Sequence, residues 1–245
     1  MPNVPKWMAD LMETALSSKM PVFEVVGADW ISPEIRSVVF KGDLQKLKLM
    51  PGYAVSFRVS PTAFRNYTPA FIDPQENIFQ ILAHIHGKGP GARFFADLSL
   101  GQQIPVSMAR GRKIQEAAAQ YFLFGDESTV GLACILQAHF QQLGKHFSTL
   151  LHLGQSQNDL PAALGLGSYE LVQREAESDN KSSMVSAPGF TILDAAVMPK
   201  WNDAQFILAG NGLYIQRIKK ELLGLGIDRR RIHAEPYWVP GKTGL

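Results

Sequence analysis

The spacing of apolar residues changes near residue 115, and that change limits the fold more than any single motif does. From residue 21 the chain runs in short apolar stretches at 22–26, 35–40, 54–59 and 78–85. Turn formers divide them, at Ser32-Pro33, Lys41-Gly42-Asp43, Pro51-Gly52, Ser60-Pro61 and Asp73-Pro74. Short strands at such intervals suggest an antiparallel barrel or sandwich. One helix, over 92–98, interrupts this region, and a turn at Gly101 leads into a strand ending at Val106. Beyond 115, strands alternate with helices. Residues 121–124, 147–153, 206–209 and 232–234 read as strands, with weaker ones at 169–172 and 191–193. Residues 129–143 read as a helix stopped by Gly144, and 214–223 as another. Such alternation favours a parallel sheet with crossover helices. The expected fold class is therefore α+β with two domains, an antiparallel barrel over 1–115 and an α/β parallel sheet over 116–245.

Composition supports folding and excludes some functions. Apolar residues make up 46% of the 245 and charged residues 19%, enough for packed cores. A net charge of +2 gives no electrostatic case for a nucleic-acid partner. The single cysteine, Cys134, rules out an internal disulfide or a Cys-rich metal site and reads as a small buried residue. Residues 5–18 have helical spacing and are expected to dock on the body. Asp10 and Glu13 interrupt any apolar leader, and no stretch of about 20 apolar residues exists to span a bilayer. The expectation is a cytoplasmic protein without membrane insertion. Residues 173–188 are polar and read as a loop.

Two segments carry chemistry. Gly87-Lys88-Gly89-Pro90-Gly91-Ala92 follows a strand and opens a helix. Glycines let backbone amides approach a phosphate, and a helix start favours negative charge. The segment lacks the βαβ setting and the later acidic residue of a dinucleotide fingerprint, so by itself it reads equally as a structural turn. Arg65-Asn66-Tyr67-Thr68 is the second segment. Arginine forks a diphosphate, a tyrosine two residues on shares its strand face and packs on a flat ring, and threonine bonds a ring nitrogen. Alone, it also reads as an ordinary edge strand. Together the two segments suit one ligand with a planar ring and a diphosphate.

The chain here resembles the siderophore-interacting, FAD-binding proteins of the ferredoxin–NADP reductase-like superfamily. Arg65, Tyr67 and Thr68 match that family's Arg-x-Tyr-Thr segment, and His86, Gly87, Gly89 and Pro90 match part of its His-Gly-x-x-Gly-Pro segment. Gly125-Asp126-Glu127-Ser128 matches a turn in its second domain. Ile227-Asp228-Arg229-Arg230-Arg231 and Tyr237-Trp238 match a stretch near its end. The resemblance implies a six-stranded FAD barrel, a nucleotide-binding domain, and reduction of ferric siderophores by NADH or NADPH through FAD. It implies that Arg65 holds the diphosphate, that Tyr67 packs on the flavin and that Thr68 lies near the ring's reactive edge. Gly89, Pro90, Gly91 and Ala92 would cradle the diphosphate, with His86, Gly87, Asp126 and Trp238 also at the cofactor. A related reductase with another acceptor, and a flavin- or siderophore-binding module with little turnover, are the alternatives.

Some positions depart from the family. Ala92 stands for a serine, Phe94 for a tryptophan, Met108-Ala109-Arg110-Gly111 for Gly-Pro-Arg-Gly, and Ala209-Gly210-Asn211 for Ala-Gly-Glu. The last falls where a nicotinamide nucleotide is expected. The strand end at Gly154-Gln155-Ser156-Gln157 carries neither charge that separates NAD from NADP. His84 and His86 read as neighbours rather than metal ligands, and no metal site is expected. Asp126 and Glu127 read as general acids or as a solvated turn. Arg217, Lys219, Lys220, Arg229, Arg230 and Arg231 read as a solvated face, and Lys242 as a residue able to reach the flavin.

Overall fold

In the computed structural model, residues 20–87, 89–111, 114–174 and 203–241 are described. They form two compact units. One takes the residues up to Ile114 with Val130–His139 and Gly241; the other takes Gln115–Thr129 and Phe140–Pro240. The expected helix at 5–18 and strand at 191–193, most of the 173–188 loop, Lys88 and Lys242 lie outside the described residues.

The first unit is antiparallel. Strands β1 (Val22–Ser32), β2 (Ile35–Lys41), β5 (Phe71–Asp73), β6 (Ile78–His84) and β7 (Gln103–Pro105) form a sheet in the order β5-β6-β2-β1-β7. Strands β3 (Val55–Ser60) and β4 (Ala63–Tyr67) form a separate ladder. This departs from a six-stranded barrel in strand count. In place of one more regular ladder, paired backbone bonds between Ala54 and Arg110, and one from Ser107 N to Ser56 O, tie β3 to the segment after β7. β1 runs six residues beyond its apolar start, through Gly27 and Asp29, with irregular register at Val25/Gly27 and Trp30/Ser32. Bulges let a strand continue without a clean alternation, so its length was hidden in the sequence.

Inward residues of the strands meet helix α1 (Pro90–Asp97) in one core. Phe40 stacks on Phe79 at 5.0 Å, and Phe57 meets Phe95 edge-on at 5.3 Å. Fully burying each such side chain contributes about 1.5–3 kcal/mol. Arg36, only 8% exposed, fixes the far end of α1: its guanidinium donates to the carbonyls of Phe95, Ala96 and Leu98. A cation there completes the helix's last carbonyls and complements its dipole.

The second unit is a wholly parallel sheet in the order β10-β9-β8-β11-β12. Its strands are β8 (Gln120–Asp126), β9 (His146–Gly154), β10 (Tyr169–Arg174), β11 (Gln205–Asn211) and β12 (Ile232–Trp238). Helix α2 (Val130–Gln142) links β8 to β9, the short α3 (Leu160–Ala163) lies between β9 and β10, and α4 (Gly212–Gly224) links β11 to β12. α2 ends as its glycine requires: Gly144 has φ +65, and Lys145 N reaches back to Phe140 O. α4 buries Ile215, Ile218 and Leu222 against Phe206, Leu208 and Ile232. Among the described residues no helix is long and apolar enough to cross a membrane.

Candidate functional site

Alternation along β4 puts Arg65 and Tyr67 on one face, opposite Phe57 and Val55. The Tyr67 ring packs on Phe95 at 4.3 Å and edge-on to Phe57 at 5.9 Å. Its hydroxyl lies over the first turn of α1, where a Cβ on Gly91 would come 2.5 Å from it. The same Cβ would stand 3.6 Å from the Arg65 stem. Arg65 and Tyr67 thus converge on the glycine loop, although the two segments are separate in sequence. Burial pushes the Tyr67 phenol well above its ordinary range, against the pull of the Arg65 charge, so it stays protonated. Arg65 donates to the carbonyl of Phe64 at 2.7 Å.

The start of α1 is uncapped. Its N-cap, Gly89, has no side-chain acceptor, Pro90 has no N–H, and the first helical bond is Arg93 N to Gly89 O at 3.1 Å. The Gly91 and Ala92 amides precede that bond. Gly87 and Gly89 border open space, and Gly87 has φ +60. A cleft of about 540 Å³ begins at Pro90 and runs past Arg93, Phe94 and Asp97 to Gln103. Phe94, the family's tryptophan position, packs on Phe57 and Phe95. The exposed His86 ring lies 4.8 Å from His84, whose Nε2 is 3.7 Å from Glu34. Gly131, in the same unit, approaches Thr68 so closely that a Cβ would be 3.1 Å from its carbonyl. Arg110 and Gly111, the retained half of the Gly-Pro-Arg-Gly turn, have structural duties. Arg110 makes the backbone pairing with Ala54, and a Cβ on Gly111 would meet the Tyr53 ring at 2.8 Å.

In the second unit strand order reverses between β8 and β11, where open parallel sheets hold their ligands. Asp126 ends β8 there and Glu127 opens the turn after it, 3% and 1% exposed. The solvated-turn expectation is corrected: both carboxylates are buried and bonded in opposite directions. Asp126 Oδ1 accepts from Ser128 N and Oγ, at 2.9 and 2.5 Å. Its Oδ2 accepts from Asn211 N at 2.7 Å and Trp238 Nε1 at 3.0 Å. Asp126 therefore joins the ends of β8, β11 and β12. Gly210 makes room for it, with φ +99 and a Cβ position 2.5 Å from Oδ2. Burial holds the Asp126 acid above its ordinary range, with its hydrogen bonds opposing. Glu127 turns the other way. It accepts from Gly154 N at 2.7 Å and takes both arms of Arg174, at 2.8 and 3.0 Å, joining β8 to β9 and β10.

Arg174 escaped the sequence reading because it sits in a stretch that looks like loop. β10 runs through it, and parallel register sets it beside Gly154, whose missing Cβ admits the guanidinium. Asn211, in the place of a family glutamate, caps α4: its side chain accepts from Leu213 N at 3.0 Å. An Asn followed by Gly at a strand end is a legible cap signal. His152 is buried edge-on to Tyr214 at 4.5 Å. Burial and the Arg174 charge hold its imidazole down to about 4, with Glu127 opposing. Cys134 is partly buried, and burial pushes its thiol up to about 11. Arg217 pairs with Glu221, Arg230 with Asp228, and Arg231 donates to Ala204 O. Among the described residues no three His, Cys, Asp or Glu groups are grouped to hold a metal.

No family model and no curated protein matches the sequence. Solved structures do. The siderophore-interacting protein SipS from Aeromonas hydrophila superposes with TM-score 0.72 at 18% identity, over 91% of this chain and 93% of that one. A ferredoxin reductase in carbazole 1,9a-dioxygenase gives 0.71 at 18%, over 89% and 69%. The flavohem-like FAD/NAD binding domain of nitric oxide dioxygenase from Vibrio cholerae gives 0.66 at 17%, over 90% and 99%. The chain has the two-domain fold that siderophore-interacting proteins share with ferredoxin reductase-like proteins.

Proposed function

We propose that this chain is a flavin-dependent reductase: it binds FAD, takes electrons from NADH or NADPH, and reduces ferric-siderophore complexes in the cytoplasm. The observation that carries the reading is the meeting of Arg65 and Tyr67 with Gly91 at the uncapped start of α1. The donor set fits a diphosphate. The Arg65 stem stands beside Gly91, no side chain fills the N-cap, and Gly87 and Gly89 leave the approach open, so a guanidinium and two leading amides are within one ligand's span. Arg65, Gly89, Gly91 and Ala92 would hold the diphosphate, with Tyr67 and Thr68 toward the flavin and His86 at the rim. The cleft from Pro90 to Gln103 is large enough for the adenosine half. A bound flavin supplies the two-electron to one-electron conversion that ferric iron requires. The chain's own part is orientation. Arg65 anchors charge, Tyr67 offers a neutral hydroxyl and a ring fixed by Phe57 and Phe95, and Phe94 and Phe95 keep water from the barrel end. In this reading residues 1–115 form the FAD domain and 116–245 the nucleotide domain.

A flavin- or siderophore-binding module with little turnover is the second reading. The complete use of Asp126 by protein donors at the switch point favours it. One experiment separates the two. Purified protein loaded with FAD is expected to be yellow, to bleach anaerobically with NADH or NADPH, and to yield ferrous iron from one or more of a ferric-siderophore panel. Yellow protein that neither nucleotide bleaches supports the module. Protein that takes up no FAD refutes the reductase and the flavin-binding module alike, and leaves only siderophore binding, read by titrating the same panel.

A further inference from the structure

In an open parallel sheet, the crevice at the switch point receives a ligand's phosphate, met by amides at the helix starts. Here the same amides already face an anion. Ser128 N lies in the turn leading into α2, and Asn211 N lies at the cap of α4; both donate to the Asp126 carboxylate. Ser128 Oγ and Trp238 Nε1 complete four donors on one group that is 3% exposed. Gly210 is shaped to that carboxylate, since any Cβ there would strike it. The α4 cap is closed as well, by the side chain of Asn211 on Leu213 N.

We propose that Asp126 is a built-in anion that takes the phosphate position of the β8/β11 switch point and so determines specificity by exclusion. A nicotinamide nucleotide is then not gripped there by its diphosphate, and any grip on it comes from other groups. This holds whether or not the first unit binds flavin, and its test needs neither flavin nor turnover.

The test is chemical rescue. Asp126→Ala leaves the Ser128, Asn211 and Trp238 donors facing a vacated position. Its melting temperature is expected to rise by roughly 4 °C or more when formate or phosphate replaces chloride at equal ionic strength. Wild type, whose position is filled, should show only the general salt effect of the exchange, so the variant's rise beyond wild type is the readout. Equal response of variant and wild type, or no rescue beyond chloride, overturns the proposal. Should the variant not fold, inorganic pyrophosphate is titrated into wild type while amide resonances are followed. Unmoved Ser128 and Asn211 amides support the built-in anion, and saturable shifts at both overturn it.

Discussion

Two helix starts in this molecule meet their electrostatic needs in opposite ways. In the first unit α1 begins at a bare glycine, Gly89, which borders open space, with the Arg65 stem and the Tyr67 hydroxyl close by Gly91. In the second unit α4 begins at Asn211, which supplies its own cap and gives its amide to Asp126. Both are glycine-containing helix starts after a strand. The difference shows that a helix start is an invitation to an anion only when the chain has not already provided one. On the proposed reading the first helix start takes an outside ligand, whereas the described edge of the second is complete by itself.

The largest expected effect tests that self-sufficiency. Arg174→Met leaves Glu127 buried with only Gly154 N to answer it, and should cost about 3 kcal/mol, the lower end for a broken buried pair because Arg174 is partly exposed. Urea unfolding would read this, with FAD affinity expected to stay unchanged. A pH slope comes next. His152 is held down to about 4 from an unfolded value of 6.5. The folded chain therefore resists the proton that the unfolded chain takes up, and stability is lost as pH falls from 6.5 toward 4. Asp126, held above its ordinary range, works the other way as it gains its proton. The His152 part is thus the difference in unfolding midpoint between wild type and His152→Gln, which should shrink on acidification.

At the other helix start the pattern should invert. Arg65→Ala should weaken FAD by roughly 10- to 150-fold in a fluorescence titration, the size of a charge-assisted bond, with little change in unliganded stability. A large loss of stability without FAD would break the contrast. Gly91→Ala should cost about 1–3 kcal/mol, since its Cβ meets the Tyr67 hydroxyl and that ring is pinned by Phe57 and Phe95. Adding Tyr67→Phe should restore part of the loss, a coupling readable in a double-mutant cycle. The smallest change is Asn211→Ala, about 1 kcal/mol for a lost cap, seen as a lower melting temperature.

The sequence made the architecture legible because its two periods are written locally. The strands at 35–40 and 78–85, the stop at Gly144 and the helix near 214–223 all appear close to their expected bounds. The meeting of the two segments was legible too, as Arg65 and Tyr67 share a strand face and the glycine loop opens a helix. What could not be read was register. Arg174 matters only because β10 sets it beside Gly154, within reach of Glu127 in the turn after β8. The burial of Asp126 depends on β11 and β12 lying together across the sheet from β9. Asn211 was read as a lost glutamate, whereas its worth lies in capping α4. Such roles come from which strand ends adjoin, and no spacing along the chain announces that.

The contrast between the two helix starts can be tested in one titration of FAD into flavin-free protein, followed by amide resonances. The account predicts saturable shifts at Gly91 and Ala92 and at the Arg65 side chain, with Ser128 and Leu213 essentially unmoved. Shifts at Ser128 and Leu213 with Gly91 and Ala92 silent would contradict it.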